Sequence, residues 1–204
     1  MQEIPLPPGG SRKGEQTMIS HSFSTKKLAF SAIVGAAYLA LTLLFLPISF
    51  GPVQCRISEA LCVLPFYFPC TAWGLFVGCI LANVIGGYGI LDIVFGSLAT
   101  LLAALCTSKL RIKWLAPLPP VVSNGVIVGA VLAYAAVPGN FMAAFWLIGL
   151  QVAAGELLSC FLLGLPLLAV VSKLTIFPQL QREFGPKRKK IVQAGWQKSR
   201  PGEE

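Results

Sequence analysis

Three carboxylates, Glu59, Asp92 and Glu156, sit inside apolar runs where an ionisable group needs a specific reason to be. The chain carries eight acidic residues, and the other five, Glu3, Glu15, Glu183, Glu203 and Glu204, lie in its polar ends. At membrane depth a charge is costly unless it faces protein or water. Two kinds of chemistry suit such acids: hydrogen bonding between helices, and recognition of a polar solute that presents N–H donors. Gln54, Arg56, Asn83 and Gln151 fall near the same depth, and Asn124 stands apart on another helix. Acid–base catalysis fits poorly, because no nucleophile or metal set adjoins the acids and His21 is the only histidine.

The composition explains why these acids stand out. Hydrophobic residues make up 55% and charged residues 12% of the 204, and the mean hydropathy is +0.75. Soluble domains carry about a quarter charged residues, so half that amount points to an integral membrane protein. The formal charge of +8 does not indicate nucleic acid, because the basic residues sit in two tails and one short loop rather than on a face interleaved with aromatics. The six cysteines, Cys55, Cys62, Cys70, Cys79, Cys106 and Cys160, show no metal-ligand spacing, so no metal or other cofactor is indicated. No GxxxxGK[ST] loop is present, and active transport would need an outside source of energy.

The basic residues set the topology. They form three blocks: Arg12, Lys13, Lys26 and Lys27; Lys109, Arg111 and Lys113; and Lys173, Arg182 and Lys187 to Lys190. If all three are cytoplasmic, even numbers of spans separate them. Roughly 80 residues and then roughly 60 leave room for four helices and then two, at about 20 residues each. The expectation is an all-α integral membrane protein of six transmembrane helices with both termini inside. Residues 1–25 read as a disordered tail, within which Met18 is an alternative start. Residues 26–173 read as the membrane domain, and 174–204 as a polar, basic cytoplasmic tail.

Turn signals place the spans at about 27–46, 57–68, 73–86, 91–108, 121–137 and 141–171, the last broken near Gly164 and Pro166. Glu59, Asn83, Asp92, Gln151 and Glu156 then share the outer or middle depth, with Asn124 toward the inner half. That distribution suggests a solute cavity opening outward rather than a full-length ion path. Arg56 is the sole basic residue on the outer side, and its spacing from Glu59 suggests an ion pair between them. In the first span Ala32, Ala36 and Ala40 recur every fourth residue, which suits close packing inside the bundle or docking of another membrane protein.

Several runs resemble the QueT family of queuosine-precursor transporters, the substrate-binding (S) components of energy-coupling-factor (ECF) importers. They are Gln54-Cys55-Arg56-Ile57-Ser58-Glu59-Ala60-Leu61, Gly74 to Asn83, and Gly86-Gly87 followed by Leu91-Asp92-Ile93-Val94-Phe95-Gly96-Ser97-Leu98-Ala99-Thr100-Leu101. The resemblance covers roughly 26–172 and implies a six-helix component that captures a 7-deazaguanine, such as preQ1, preQ0 or a queuine-like molecule, outside the cell. It implies partnership with a transmembrane coupling protein and two ATPase subunits in a bacterial cytoplasmic membrane. It also implies docking through Ala32, Ala36 and Ala40. On this resemblance Gln54, Arg56 or Asn83 would meet the ligand carbonyl, Glu59, Asp92 and Glu156 its N–H groups, and Tyr88, Phe66 or Trp146 its ring.

Other classes remain open on the residues alone. A stand-alone transporter for another nucleobase-like or vitamin-like solute is the main alternative. A pore-former is disfavoured by the clustering of polar groups toward one side.

Overall fold

A computed structural model describes residues 24–49, 56–87, 89–136 and 139–186. All regular structure among them is helical. Helix α1 spans Thr25–Leu44 and is followed by a single turn, Leu46–Ser49. Next come α2 (Ile57–Phe66), α3 (Thr71–Gly86), α4 (Asp92–Lys109), α5 (Leu118–Ala136), α6 (Phe141–Lys173) and α7 (Phe177–Phe184).

Four of these helices, α1, α4, α5 with the turn before it, and α6, are long and apolar enough to cross a membrane. The expected second and third spans, α2 and α3, are shorter apolar helices. Helix α2 is a 3₁₀ helix throughout its 10 residues. At a rise of about 2.0 Å per residue it reaches about 20 Å, where an α-helix of that length would reach about 15 Å. Pro65 sits inside α2. The 3₁₀ path carries the chain past it to Phe66.

Small residues decide which helices pair. A Cβ added to Gly74 would lie 1.8 Å from the Ser31 carbonyl oxygen, so α1 and α3 touch backbone to backbone. The Ser31 hydroxyl ties the seam, donating to the Cys70 carbonyl at 2.8 Å and accepting from the Gly74 N–H at 2.8 Å. Helices α5 and α6 close in the same way, a Cβ at Gly129 falling 2.6 Å from Gly149 Cα. Helix α4 packs between α3 and α5, and α2 runs through the middle against α1, α4 and α6. Seven of the ten α2 residues are buried, Glu59 among them.

The outer surface is apolar. Ile33, Trp73, Val77, Val84, Val94, Leu98, Leu102, Trp146, Leu147 and Leu162 are all exposed, while Ser58, Glu59, Thr71, Asn83, Thr100 and Asn124 are buried. Water would penalise such a surface and lipid would not.

Within the stretch read as a tail, α7 folds back onto the bundle. Phe184 stacks on Phe30 at 4.6 Å, Phe177 meets Tyr67 edge-on at 5.0 Å, and Lys26 pairs with Glu183 at 2.8 Å. The start of α1, the end of α2 and the segment after α6 therefore lie on one side. Helix α5 begins at Leu118 rather than after Pro119-Pro120. Both prolines occupy its first turn, where an N–H has no helical partner to lose. The expected break in α6 takes the form of a π-type widening over Leu158–Gly164, with Pro166 opening the regular helix that follows. The expectations for Met1 to Phe23, Gln54, Cys55, Tyr88 and Lys187 to Lys190 fall outside the described residues.

Candidate functional site

The three intramembrane acids sit where the helices are least regular. Glu59 lies in the 3₁₀ helix, Asp92 opens a π-type turn over Asp92–Gly96, and Glu156 comes two residues before the widening at Leu158–Gly164. Such turns alter the phase of a helix and are frequent at functional sites. Two of the three meet, because α2 packs directly on the widened part of α6. A Cβ at Gly164 would come within 2.9 Å of Val63 Cγ1 and 3.3 Å of the Ala60 carbonyl.

A single buried polar network joins the helices α1 to α6. On α1 the Tyr38 hydroxyl donates to Glu59 Oε1 at 2.5 Å. Thr100 of α4 reaches the same oxygen at 3.3 Å and also lies 3.4 Å from Cys79 Sγ on α3. The Asn83 amide spends its hydrogens on Cys79 Sγ at 3.6 Å and on the Asp92 backbone carbonyl at 3.0 Å. Asp92 Oδ2 stands 3.8 Å from the Arg56 guanidinium. On the far side Asn124 of α5 donates to Glu156 Oε1 at 2.9 Å. The Cys160 thiol bridges back, 3.8 Å from Glu156 Oε2 and 3.4 Å from the Glu59 carbonyl.

The expected residues fare differently. Glu59, Asn83, Asp92, Glu156 and Arg56 join this network, and all five are buried. The charged partner of Arg56 is Asp92 on another helix, where spacing had suggested Glu59. Arg56 precedes the first turn of α2 with extended backbone, so the two do not share a helical face.

Gln151 is exposed on α6 and takes no part. Five residues of α-helix separate it from Glu156, a rotation of about 140° away from the same face. Trp146 is likewise exposed, and Phe66 packs with Val63, Ala116 and Leu168 away from the acids, so neither ring lines the network. Ala32, Ala36 and Ala40 are exposed, since α1 turns Ser31, Gly35 and Tyr38 inward instead.

Tyr38, Cys79, Thr100 and Cys160 were missed from sequence, and Asn124 was set apart from the site that it joins. A signal existed for most of them. Cys79 with Asn83, Gly96 with Asp92 and Thr100, and Cys160 with Glu156 are four residues apart, so they share faces with the residues already singled out.

Among the described residues, five buried polar atoms of this region have no hydrogen-bond partner: Glu59 Oε2, Asn83 Oδ1, Asp92 Oδ1, Asn124 Oδ1 and Ser97 Oγ. Each such atom costs free energy comparable to a lost hydrogen bond unless something meets it. Gly96 keeps the space beside Asp92 open, because a Cβ there would sit 3.3 Å from both Asp92 Oδ1 and Asn83 Nδ2. No group of three or more metal-ligating side chains occurs among the described residues.

Comparison with known families matches residues 28–173 to the QueT transporter family. The match runs from the first turn of α1 to the end of α6, and the chain belongs to this family. It is therefore a multi-pass membrane protein of the transporter class, handling a small-molecule substrate. No curated protein and no solved structure matches the chain.

Proposed function

We propose that this chain is the substrate-capture subunit of an ECF-type importer, and that Glu59, Asp92, Asn83 and Arg56 bind a 7-deazaguanine from outside the cell. The observation that carries the reading is the buried network drawn from six helices, with several acceptor oxygens left unpaired within it. Interhelical glue would leave its hydrogen bonds closed on themselves, whereas a binding site holds some in reserve.

In this reading α1 to α6 all cross the bacterial cytoplasmic membrane, with both termini inside. The basic blocks support that count, and the Lys26–Glu183 contact supports one side for the two ends. The deazaguanine N–H groups meet Glu59 Oε2, Asp92 Oδ1 and the two asparagine oxygens. Arg56 and the Ser97 hydroxyl meet its carbonyl. Gln54 and Tyr88 are proposed to contact the ligand as well. Glu156, engaged by Asn124 and Cys160, positions this framework more than it touches the ligand.

Ala32, Ala36 and Ala40 form the surface for a transmembrane coupling protein, whose two ATPase subunits drive reorientation and inward release. Titration calorimetry of the purified chain with 7-deazaguanines tests the reading. Saturable binding by this subunit alone is expected, and its absence would overturn it. Uptake in cells lacking any coupling module would instead favour a transporter that works alone.

A further inference from the structure

We infer that the link between α4 and α5 is a docking point for anionic phospholipid, its cations holding the headgroup phosphate while Ile112 and Trp114 enter the bilayer beside it.

The first observation is the shape of the link. Its sequence, Lys109-Leu110-Arg111-Ile112-Lys113-Trp114-Leu115, alternates cations with apolar residues. Leu110 and Ile112 have extended backbone, and along an extended chain successive side chains point to opposite sides. Arg111 is therefore parted from the apolar pair that flanks it. Both feet of the link are fixed. The Thr107 hydroxyl, near the end of α4, donates to the Ala116 carbonyl at 3.2 Å, and Ala116 is buried against Val63 and Leu168. A 3₁₀ turn over Lys113–Leu115 leads into that anchor. From this base the tip projects, with Ile112 56% and Trp114 68% exposed, and Lys109 and Arg111 exposed beside them.

The second observation is charge. No Asp or Glu occurs between Asp92 and Glu156. The ion pairs among the described residues, Lys26–Glu183 and Arg56–Asp92, lie on other elements. Lys109, Arg111 and Lys113 are thus a cluster of cations with no acid set against it. A guanidinium grips a phosphate through two parallel hydrogen bonds, and lysines add mobile point charges. The start of α5 contributes little, since Pro119 and Pro120 have no N–H to offer.

The third observation selects lipid over protein. The apolar tip continues the exposed faces of α4 and α5, where Leu102, Leu105, Leu118 and Val122 also point outward. A tryptophan at the edge of such a surface sits at headgroup level, and long basic side chains reach out to the phosphates from there. The link is also at an end of the bundle, because Ala116 packs with Tyr67, which meets Phe177 of α7. A tip of this size falls well short of the roughly 20–30 residues a side that a stable protein interface takes. One headgroup fits it.

Trp114 reports on the lipid beside it. In a full-length chain with Trp73, Trp146 and Trp196 changed to Phe, its fluorescence is read in vesicles of equal parts phosphatidylglycerol and phosphatidylcholine, one or the other brominated as quencher. Each cation near an anionic surface is worth about fivefold in binding. The anionic lipid is therefore expected to be preferred at Trp114 by at least about tenfold. Lys109→Gln/Arg111→Gln/Lys113→Gln should bring the ratio close to one, whereas glutamines at Lys187, Arg188, Lys189 and Lys190 should leave it standing. If the single-tryptophan chain does not fold, melts of the chain with all its tryptophans make the same comparison in detergent. Phosphatidylglycerol should then raise the melting temperature more than phosphatidylcholine does, and only while the three loop cations are present. Equal action of the two lipids, or a preference that survives the triple substitution, would overturn the inference. A triple variant that keeps the preference yet loses uptake in whole cells would overturn it too, and would assign the loop to a protein partner.

Discussion

Glu59→Gln separates a ligand-binding acid from one that merely joins helices. The substitution preserves size, and the Tyr38 hydroxyl can still donate to the amide oxygen, so the link from α1 to α2 survives. What disappears is the charge and the second acceptor. An NH₂ group replaces the unpaired Oε2 and presents hydrogens to a ligand that also presents hydrogens. Glu59 is fully buried, so the lost interaction is a charge-assisted hydrogen bond out of contact with water. Losing such a bond costs about 2–5 kcal/mol. The lower figure corresponds to an affinity about thirtyfold weaker.

Without ligand the direction reverses. The variant removes a buried acid with one oxygen unmatched, so its melting temperature should hold or rise. Calorimetry for affinity and a ligand-free thermal melt in the same detergent read both quantities. Unchanged affinity combined with a lower melting temperature would refute the reasoning and mark Glu59 as glue between helices. Asp92→Asn should weaken binding as Glu59→Gln does, but with a lower ligand-free melting temperature, because the carboxylate facing buried Arg56 loses its charge. Glu156→Gln should weaken binding less, because Asn124 and Cys160 already contact its oxygens.

Three further expectations follow from the architecture. Gly74→Ala should sharply lower the yield and melting temperature of purified protein, since the added carbon would fall 1.8 Å from a backbone oxygen of α1 that cannot step aside; a wild-type melt would show that the α1–α3 contact is looser than described. Ala36→Trp should leave deazaguanine binding intact and abolish uptake in whole cells, because the exposed alanine face lies opposite Tyr38; normal uptake would exclude that face as the coupling surface. On a cysteine-free background, reporters at Lys113 and Lys190 should be shielded from an impermeant thiol reagent in intact cells while one at Asn140 reacts, and labelling at Lys113 would break the six-span topology.

Sequence patterns reveal depth along a helix more readily than direction around it. The basic blocks and the Gly86-Gly87 turn located the helices, and they placed Glu59, Asn83, Asp92 and Glu156 at similar depth. Direction was harder, because each residue of uncertainty at a helix start rotates every side chain by about 100°. That is why Gln151, at a suitable depth, lies on the exposed face, and why Asn124 meets Glu156 although it was set nearer the inner side.

The 3₁₀ path of α2 and the widened turns of α4 and α6 shift the phase again, and no single residue announces them. Tyr38, Thr100 and Cys160 are ordinary in apolar spans, and only the partners that they meet distinguish them. Helix α7 was hidden for another reason. Its two anchoring rings, Phe177 and Phe184, stand among polar residues in a stretch whose charge suggests solvent.

The claim that the buried network holds a solute is most directly tested by what the purified protein carries. Wild-type chain and a Glu59→Gln/Asp92→Asn double variant would be purified from cells supplied with 7-deazaguanines. Their bound small molecules would be released by denaturation and identified by mass spectrometry. The account expects a deazaguanine from the wild type at close to one per chain and none from the folded double variant. Equal recovery from both proteins, or none from the wild type, would contradict it.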